Sequence, residues 1–136
     1  MEKSFNLEII SPVSTVFEGE VESVTIPGTV GSFQVLKNHA PMMSSFEIGK
    51  IKIEQGQNTI EYSTGGGIFE VRQNKAIVLA ESVESKEQID IDRAGRAKLR
   101  AEQILKASGV SYDEKDEARH ALQRAVNRLK IAQRNK

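Results

Sequence analysis

The sequence predicts a β-sandwich or barrel over residues 1–84, followed by an α-helical hairpin over residues 85–136. All three prolines, all five phenylalanines and eight of the ten glycines lie in the first segment. Short runs of alternating apolar residues recur there roughly every eight to twelve residues, a spacing typical of all-β domains. Beyond residue 84 the apolar residues recur at intervals of three and four, which is the period of an α-helix.

The first segment contains a series of candidate strands. Phe5, Leu7 and Ile9 alternate with polar residues, as on a strand that is buried on one face. Further strands are predicted over 21–26, 32–36, 50–54, 59–63, 68–72 and 76–81. Glu18, Glu20 and Glu22 indicate a solvated acidic strand edge. The glycines at 65–67 are not followed by the Lys-Ser or Lys-Thr of a phosphate-binding loop, so they indicate a tight turn where no Cβ fits.

The second segment has the start and stop signals of two helices. Either Ser85, with Gln88 three residues later, or Asp90 caps the first helix. Gly109 stands where a left-handed residue ends a helix, and a capping box that starts at Ser111 begins the second one. The short connection predicts two antiparallel neighbours.

Alanine dominates the sides of the two helices that are predicted to face each other. An alanine removes little apolar surface from water, so at ~25 cal/mol per Å² the pairing energy is small. We therefore hypothesise that the hairpin opens without melting its helices. The predicted seam comprises Ala94, Ala97, Ala101, Ile104, Leu105 and Ser108 on the first helix and Ala118, Ala121, Leu122, Ala125, Leu129 and Ala132 on the second.

Composition argues against several kinds of site. The chain has no cysteine, which excludes disulfides, thiolate metal sites and thiol nucleophiles. Its two histidines argue against a histidine-rich metal centre, and no nucleophile–base pair suggests an enzyme. No apolar run reaches the length of a transmembrane helix.

The net charge of zero conceals a division of charge along the chain. Residues 1–84 carry six basic and eleven acidic side chains, a net charge of −5, and the remainder carries thirteen and eight, a net charge of +5. An alternative function class is a nucleic-acid-binding barrel with a basic arm. That class requires basic, aromatic-bearing strands, and the acidic first segment with its single arginine argues against it.

The arginines of the second segment are the most informative set. Arg93, Arg96 and Arg100 share one face of the first helix, and Arg124 and Arg128 share one face of the second. If antiparallel packing joins the two groups, they form a guanidinium cluster suited to phosphate; the competing interpretation is a solvated basic face. The nearby Asp90 is either an N-cap or an acceptor of hydrogen bonds from a ribose or a base.

Five strings follow each other along the chain: GSFQVLKNHAP at 31–41, GGGIFEV at 65–71, AIVLAE at 76–81, IDIDRA at 89–94 and ALQRAVNRL at 121–129. Together they resemble strings of the epsilon subunit of F-type rotary ATP synthases. The fourth string matches the ATP-binding motif of that family, I/L-D-x-x-R-A, at every fixed position. The resemblance covers essentially the whole chain.

The resemblance implies a noncatalytic rotor-stalk subunit of a proton-translocating complex, peripheral on the cytoplasmic face of the bacterial plasma membrane. It implies a sandwich of about ten short antiparallel strands that docks on the gamma subunit and the ring of c subunits. The hairpin then acts as a regulator. When folded it permits ATP hydrolysis, and when extended into the alpha and beta catalytic subunits it blocks hydrolysis.

The resemblance also implies roles for individual residues. ATP is a regulatory ligand that favours the folded hairpin, and no cofactor or metal is required. Its adenosine is contacted by Glu84, Ile89 and Asp90, and its phosphates by Arg93, Arg100, Arg124 and Arg128, with Ala94 completing the motif. Acidic segments of the catalytic subunits meet Arg119, Arg124, Arg128, Lys130 and Arg134. The docking loop of the sandwich contains Leu36, His39 and Pro41.

Overall fold

A computed structural model describes residues 3–133 and divides the chain into two compact units. The first unit ends at Ser85 and the second begins at Lys86. Arg134, one of the predicted partner contacts, lies outside the described residues.

The first unit is a sandwich of two five-stranded sheets. In chain order the strands are β1 (Phe5–Ile10), β2 (Thr15–Val21), β3 (Ser23–Ile26), β4 (Phe33–Val35), β5 (Met42–Phe46), β6 (Gly49–Gln55), β7 (Asn58–Thr64), β8 (Gly67–Arg72), β9 (Lys75–Ala80) and β10 (Val83–Ser85). One sheet has the order β2-β1-β9-β8-β5 and the other has the order β10-β7-β6-β3-β4. The predicted β-sandwich is confirmed. Strand neighbours run antiparallel, except that β1 pairs with β9 in parallel.

Alternation along the strands builds a single apolar core between the sheets. Because successive side chains of a strand point to opposite faces, Phe5, Leu7 and Ile9 of β1 all lie inside. They meet branched residues of the other sheet, including Val24 and Ile53, which are fully buried. The predicted burial of one face of β1 is therefore confirmed.

The strand predicted over 21–26 is in fact divided between the two sheets. The chain changes sheets at Glu22, whose N–H donates to the carbonyl oxygen of Glu54 at 2.8 Å. Val21 and Val24 are both buried but belong to different sheets, so one apolar run spans a corner of the sandwich. As a result Glu18 and Glu20 lie on the edge strand β2, whereas Glu22 does not.

Two strands were not predicted from the sequence. The Met-Met-Ser-Ser-Phe run of β5 has no β-branched residue, and β10 has only three residues. Ser85 pairs with Tyr62 at the end of β10. The prediction that it caps the first helix is wrong, because a strand occupies that part of the chain.

Two of the three consecutive glycines, Gly65 and Gly66, form the tight connection between β7 and β8, and Gly67 is the first residue of β8. Gly66 has a φ of +106°, in the left-handed region that favours glycine. A Cβ on Gly67 would overlap the carbonyl oxygen of Leu79 on the neighbouring strand. The prediction of a turn without room for a Cβ is confirmed.

We expect Gly67→Ala to destabilise the sandwich by about 1–3 kcal/mol, because its methyl group has to displace backbone rather than a flexible side chain. Gly19→Ala is the matched control, since its Cβ would meet the Gln55 side chain at an ordinary 3.6 Å. Urea denaturation followed through the amide NMR signals of β8 and β9 measures the difference. Equal stability of the two variants would show that the turn relaxes to accept a methyl group.

The second unit is a helical hairpin. A 3₁₀ turn at Lys86–Gln88 precedes its first helix. Its helices are α1 (Ile91–Lys106) and α2 (Tyr112–Ala132). The Asp90 carboxylate accepts the N–H of Arg93 at 3.0 Å, and the Ser111 hydroxyl accepts the N–H of Glu114 at 3.1 Å. Each side chain thus satisfies an N–H that the first turn leaves without a partner. Of the two predicted caps of the first helix, Asp90 is the one used.

The loop between the helices differs from its prediction. The first helix ends at Lys106, and the cap residue Ala107 donates its N–H to the carbonyl oxygen of Ile104 at 3.2 Å. Gly109 has the expected left-handed conformation, with a φ of +77°. However, it lies two residues beyond the cap, so it shapes the loop and does not end the helix.

Alanines form the centre of the interface between α1 and α2. Ala94, Ala101, Ala118 and Ala125 are each at most 3% exposed. Ser108 is exposed, and its predicted place in the seam is wrong because the helix has already ended. A separate apolar cluster, the basal clasp, consists of Ile89, Ile131 and Ala132. The clasp contains the only buried side chains larger than alanine among residues 86–133.

We expect Ile131→Ala to loosen the hairpin by about 2 kcal/mol, because it removes a large apolar side chain from the basal clasp. Amide hydrogen exchange measures this change as faster exchange in α2, with no change in the sandwich. Val126→Ala serves as the control, because Val126 lies on the same helix and is largely exposed. Similar exchange in both variants would mean that the clasp does not hold the hairpin.

Candidate anion site and docking surfaces

Five arginines and three alanines line one groove between α1 and α2, with a volume of about 430 Å³. We call it the arginine groove. Its residues are Arg93, Arg96, Ala97 and Arg100 of α1 and Ala121, Arg124, Ala125 and Arg128 of α2. The structure therefore joins the two arginine groups that the helical spacing predicts on each helix.

The local sequence explains why a groove exists at this place. Steps of three and four residues put Arg93, Arg96 and Arg100 along one side of α1, and a step of four aligns Arg124 with Arg128. Alanines fill the positions between these rows. Because an alanine side chain is a single methyl group, the arginines form two walls above an open floor.

The electrostatics of the groove are unbalanced. Its lining contains no carboxylate. Arg93, Arg96, Arg100 and Arg124 form no ion pair within 4.0 Å in the described part of the chain. The three arginines of α1 are exposed, and the two of α2 are half-buried. Like charges that share one groove repel each other, so the arrangement favours a polyvalent anion that accepts several charge-assisted hydrogen bonds.

A second groove of about 510 Å³ adjoins the first and has the opposite character. The two share Ala97, Arg100 and Ala121. Asp113, Glu114 and Glu117 of α2 stand at this second groove, with alanines and Ile104 completing its lining. The surface between the helices is thus acidic toward the α1–α2 loop and basic toward the opposite end of the hairpin.

The other residues predicted to contact ATP have different surroundings. Asp90 is exposed and caps α1. Ile89 is only 7% exposed, within the basal clasp, and Ala94 is buried in the seam. Glu84 belongs to the first unit, in β10, where it pairs with Ser63 of β7. None of these four lines the arginine groove.

The residues predicted to contact the catalytic subunits fall into two groups on the described part of α2. At ~100° per residue, Arg119 and Lys130 lie within ~20° of each other around the helix, whereas Arg124 and Arg128 lie ~120–180° away from them. Arg119 pairs with Asp116 at 3.5 Å and lies over the Tyr112 ring at 5.6 Å from its centroid. Arg124 and Arg128 instead face the arginine groove.

The predicted docking loop is held by two asparagines. Leu36 and Pro41 are exposed, and His39 is half-buried with its Nδ1 2.7 Å from the carbonyl oxygen of Ala40. The N–H of Asn38 donates to Oδ1 of Asn74 at 2.7 Å, and Nδ2 of Asn74 donates to Oδ1 of Asn38 at 3.1 Å. The loop is thereby fixed to the β8–β9 turn.

An apolar patch on the outer face of one sheet was missed from the sequence. Ile68 of β8 pairs with Leu79 of β9, which pairs with Ile10 of β1. Ile68 and Leu79 are 43% and 50% exposed, and Met43 of β5 is exposed beside them. We call this set, together with Ile77, the outer patch. The available signal was the unbroken apolar run at 76–80 in β9, which puts apolar side chains on both faces of the sheet.

Comparison with known protein families identifies the family to which this chain is related. Residues 4–86 match the model of the "ATP synthase, Delta/Epsilon chain, beta-sandwich domain", and residues 87–133 match that of its "long alpha-helix domain". The chain belongs to the ATP synthase delta/epsilon family. The two matched domains follow each other without overlap and cover nearly all of this delta/epsilon chain.

Curated members of the delta/epsilon family are similar over almost their whole length. An ATP synthase epsilon chain of Desulforamulus reducens is 37% identical over 98% of this chain and 100% of the relative. One of Nitratidesulfovibrio vulgaris is 44% identical over 96% and 97%. Among solved structures, a chain of the Euglena gracilis mitochondrial ATP synthase has a TM-score of 0.79 at 18% identity, covering 88% of this chain and 76% of that one.

The described part of this delta/epsilon chain contains neither a candidate metal site nor a membrane-spanning helix. Within residues 3–133, no group of three or more His, Asp or Glu side chains is placed to hold a metal ion. In the same range no helix has both the length and the apolar character needed to cross a membrane.

Proposed function

We propose that this chain is the noncatalytic epsilon-type subunit in the central stalk of a bacterial F-type ATP synthase. The observation that carries the proposal is the match of both units, in order and over nearly the whole chain, to the family. Its curated bacterial relatives carry the same name. The subunit acts peripherally, on the cytoplasmic face of the plasma membrane, in a complex that translocates protons.

The outer patch and the docking loop are the two surfaces that attach the sandwich to the rotor. In the outer patch, Ile68, Leu79 and Ile10 form an apolar row across three strands, and Glu8 and Glu70 lie on either side of Ile77 in the next row. An apolar row beside carboxylates suits a stable contact with the gamma subunit. The loop presents the exposed side chains of Leu36 and Pro41 and the half-buried His39 on a backbone fixed by Asn38 and Asn74. A fixed loop loses little entropy on binding, which suits contact with the c-ring.

We expect Leu79→Glu to weaken binding to the gamma subunit at least about tenfold, because it buries a charge at the centre of the apolar patch. Val13→Glu is the control, since Val13 is fully exposed at the β1–β2 turn, outside the patch. Surface plasmon resonance with purified gamma subunit measures both. If Leu79→Glu binds as tightly as the wild type, the outer patch is not the docking surface.

The hairpin acts as the regulator because the same arginines serve two alternative partners. In the folded hairpin, Arg124 and Arg128 face α1 across the groove. When the helices separate, both become available to acidic segments of the catalytic alpha and beta subunits. Arg119 and Lys130, on the other side of α2, and Arg134 are the further proposed contacts for such segments. An anion in the groove therefore competes with the catalytic subunits for these guanidinium groups.

ATP is the proposed occupant of the arginine groove, and it is not hydrolysed there. Its triphosphate meets Arg93, Arg100, Arg124 and Arg128, while the exposed Asp90 at the start of α1 serves the adenosine. The acidic groove near the α1–α2 loop repels phosphate and so directs the chain of phosphates toward the basic end. A ligand at 100 times its Kd shifts a conformational equilibrium by only about 2.7 kcal/mol. Only a weakly paired hairpin, such as one with an alanine seam, responds to so small a shift.

We expect the full chain to lower the ATPase rate of an epsilon-depleted synthase severalfold, because its hairpin extends into the catalytic hexamer. A chain ending at Ser85 retains every strand of the sandwich. It should bind the complex equally well without inhibiting it. Steady-state ATPase assays together with co-sedimentation measure both properties. Full inhibition by the shortened chain would show that the hairpin is not the inhibitory element.

A further inference from the structure

The arginine groove contains one guanidinium more than the family motif assigns to phosphate. Arg96 is absent from the set Arg93, Arg100, Arg124 and Arg128, yet it lines the same groove. It lies three residues after Arg93 and four before Arg100, on the same side of α1. It is exposed and forms no ion pair with another described residue. Its charge is therefore not used elsewhere in this part of the chain.

The charge of the lining determines which form of a phosphate chain the groove accepts. Five guanidinium groups and no carboxylate surround the space. A protein site for magnesium usually supplies one or two carboxylates together with phosphate oxygens and water. A magnesium ion on the phosphates would lower the negative charge of the ligand by two and would place a dication among five cations.

We propose that Arg96 is a fifth phosphate-binding residue and that it makes the groove select phosphate chains that carry no magnesium. The proposal rests on the proposed function of the groove as the ATP site. It extends that proposed function by naming the ionic form of the ligand and the residue that makes the groove select this form. The groove then responds to free ATP and to other metal-free polyphosphates, and it discriminates against MgATP.

Titration calorimetry of the full chain tests the proposal with Arg96→Gln and a matched control. Glutamine keeps helix propensity and hydrogen-bonding capacity but removes the charge. Lys98→Gln removes one charge from the same helix, two residues away and outside the groove. Circular dichroism of both variants checks that the helices are retained. The ligands are ATP with EDTA, ATP with excess magnesium, and sodium tripolyphosphate.

We expect the wild type to bind free ATP at least about threefold more tightly than MgATP. Arg96→Gln should weaken the binding of free ATP about tenfold, which corresponds to ~1.4 kcal/mol. It should also reduce the difference in affinity between free ATP and MgATP. The effect of Lys98→Gln should stay below about twofold, as for a solvated charge. Tripolyphosphate should displace ATP, because the groove binds the phosphate chain.

The outcomes separate this proposal from the proposed function. If the wild type binds ATP but Arg96→Gln and Lys98→Gln behave alike, or if MgATP binds at least as tightly as free ATP, the inference is overturned and the ATP site stands. If tripolyphosphate binds in an Arg96-dependent way but ATP does not, the inference on the groove stands and its role as an ATP sensor falls. If neither ligand binds, both fall.

Discussion

The interface on which the helical unit depends is the alanine seam between α1 and α2. Ala94, Ala101, Ala118 and Ala125 bring the helices close together but bury one methyl group each. The sandwich contrasts with this, because its core contains fully buried Phe, Leu, Ile and Val side chains. At ~25 cal/mol per Å² of buried apolar surface, the two units differ greatly in internal cohesion. One chain thus combines a sandwich with a large apolar core and a hairpin whose helices share a small apolar interface.

The small side chains of the seam also create the arginine groove. Larger residues at Ala97, Ala121 and Ala125 would fill the floor and strengthen the helix pair, but they would leave no room between the arginine walls. Repulsion among the arginines adds a further cost to the folded hairpin when the groove is empty. A bound polyvalent anion would offset that cost. Stability and ligand binding would then be coupled through the same residues.

The sequence was informative wherever one residue type repeats at a fixed period. The alternation in β1, the N-cap at Ser111 and the arginine spacing on α1 all appear in the structure as predicted. Predictions failed where tertiary pairing decides the outcome. The corner at Glu22 and the assignment of Ser85 to β10 depend on strands distant in sequence. Grouping all basic residues of α2 as one partner surface also failed, because helix periodicity puts Arg119 on one side of α2 and Arg124 and Arg128 on the other.

The parallel pairing of β1 with β9 has a consequence for the order of folding. β1 forms a local antiparallel pair with β2, but its other edge has to wait for residues 75–79. During synthesis this sheet therefore stays open until the end of the domain has left the ribosome, and non-local pairing of this kind is slow. The two helices of the hairpin are joined by a short loop, so their contacts with each other are local and form quickly once they emerge. The last part of the chain to be synthesised is thus suited to fold in the shorter time.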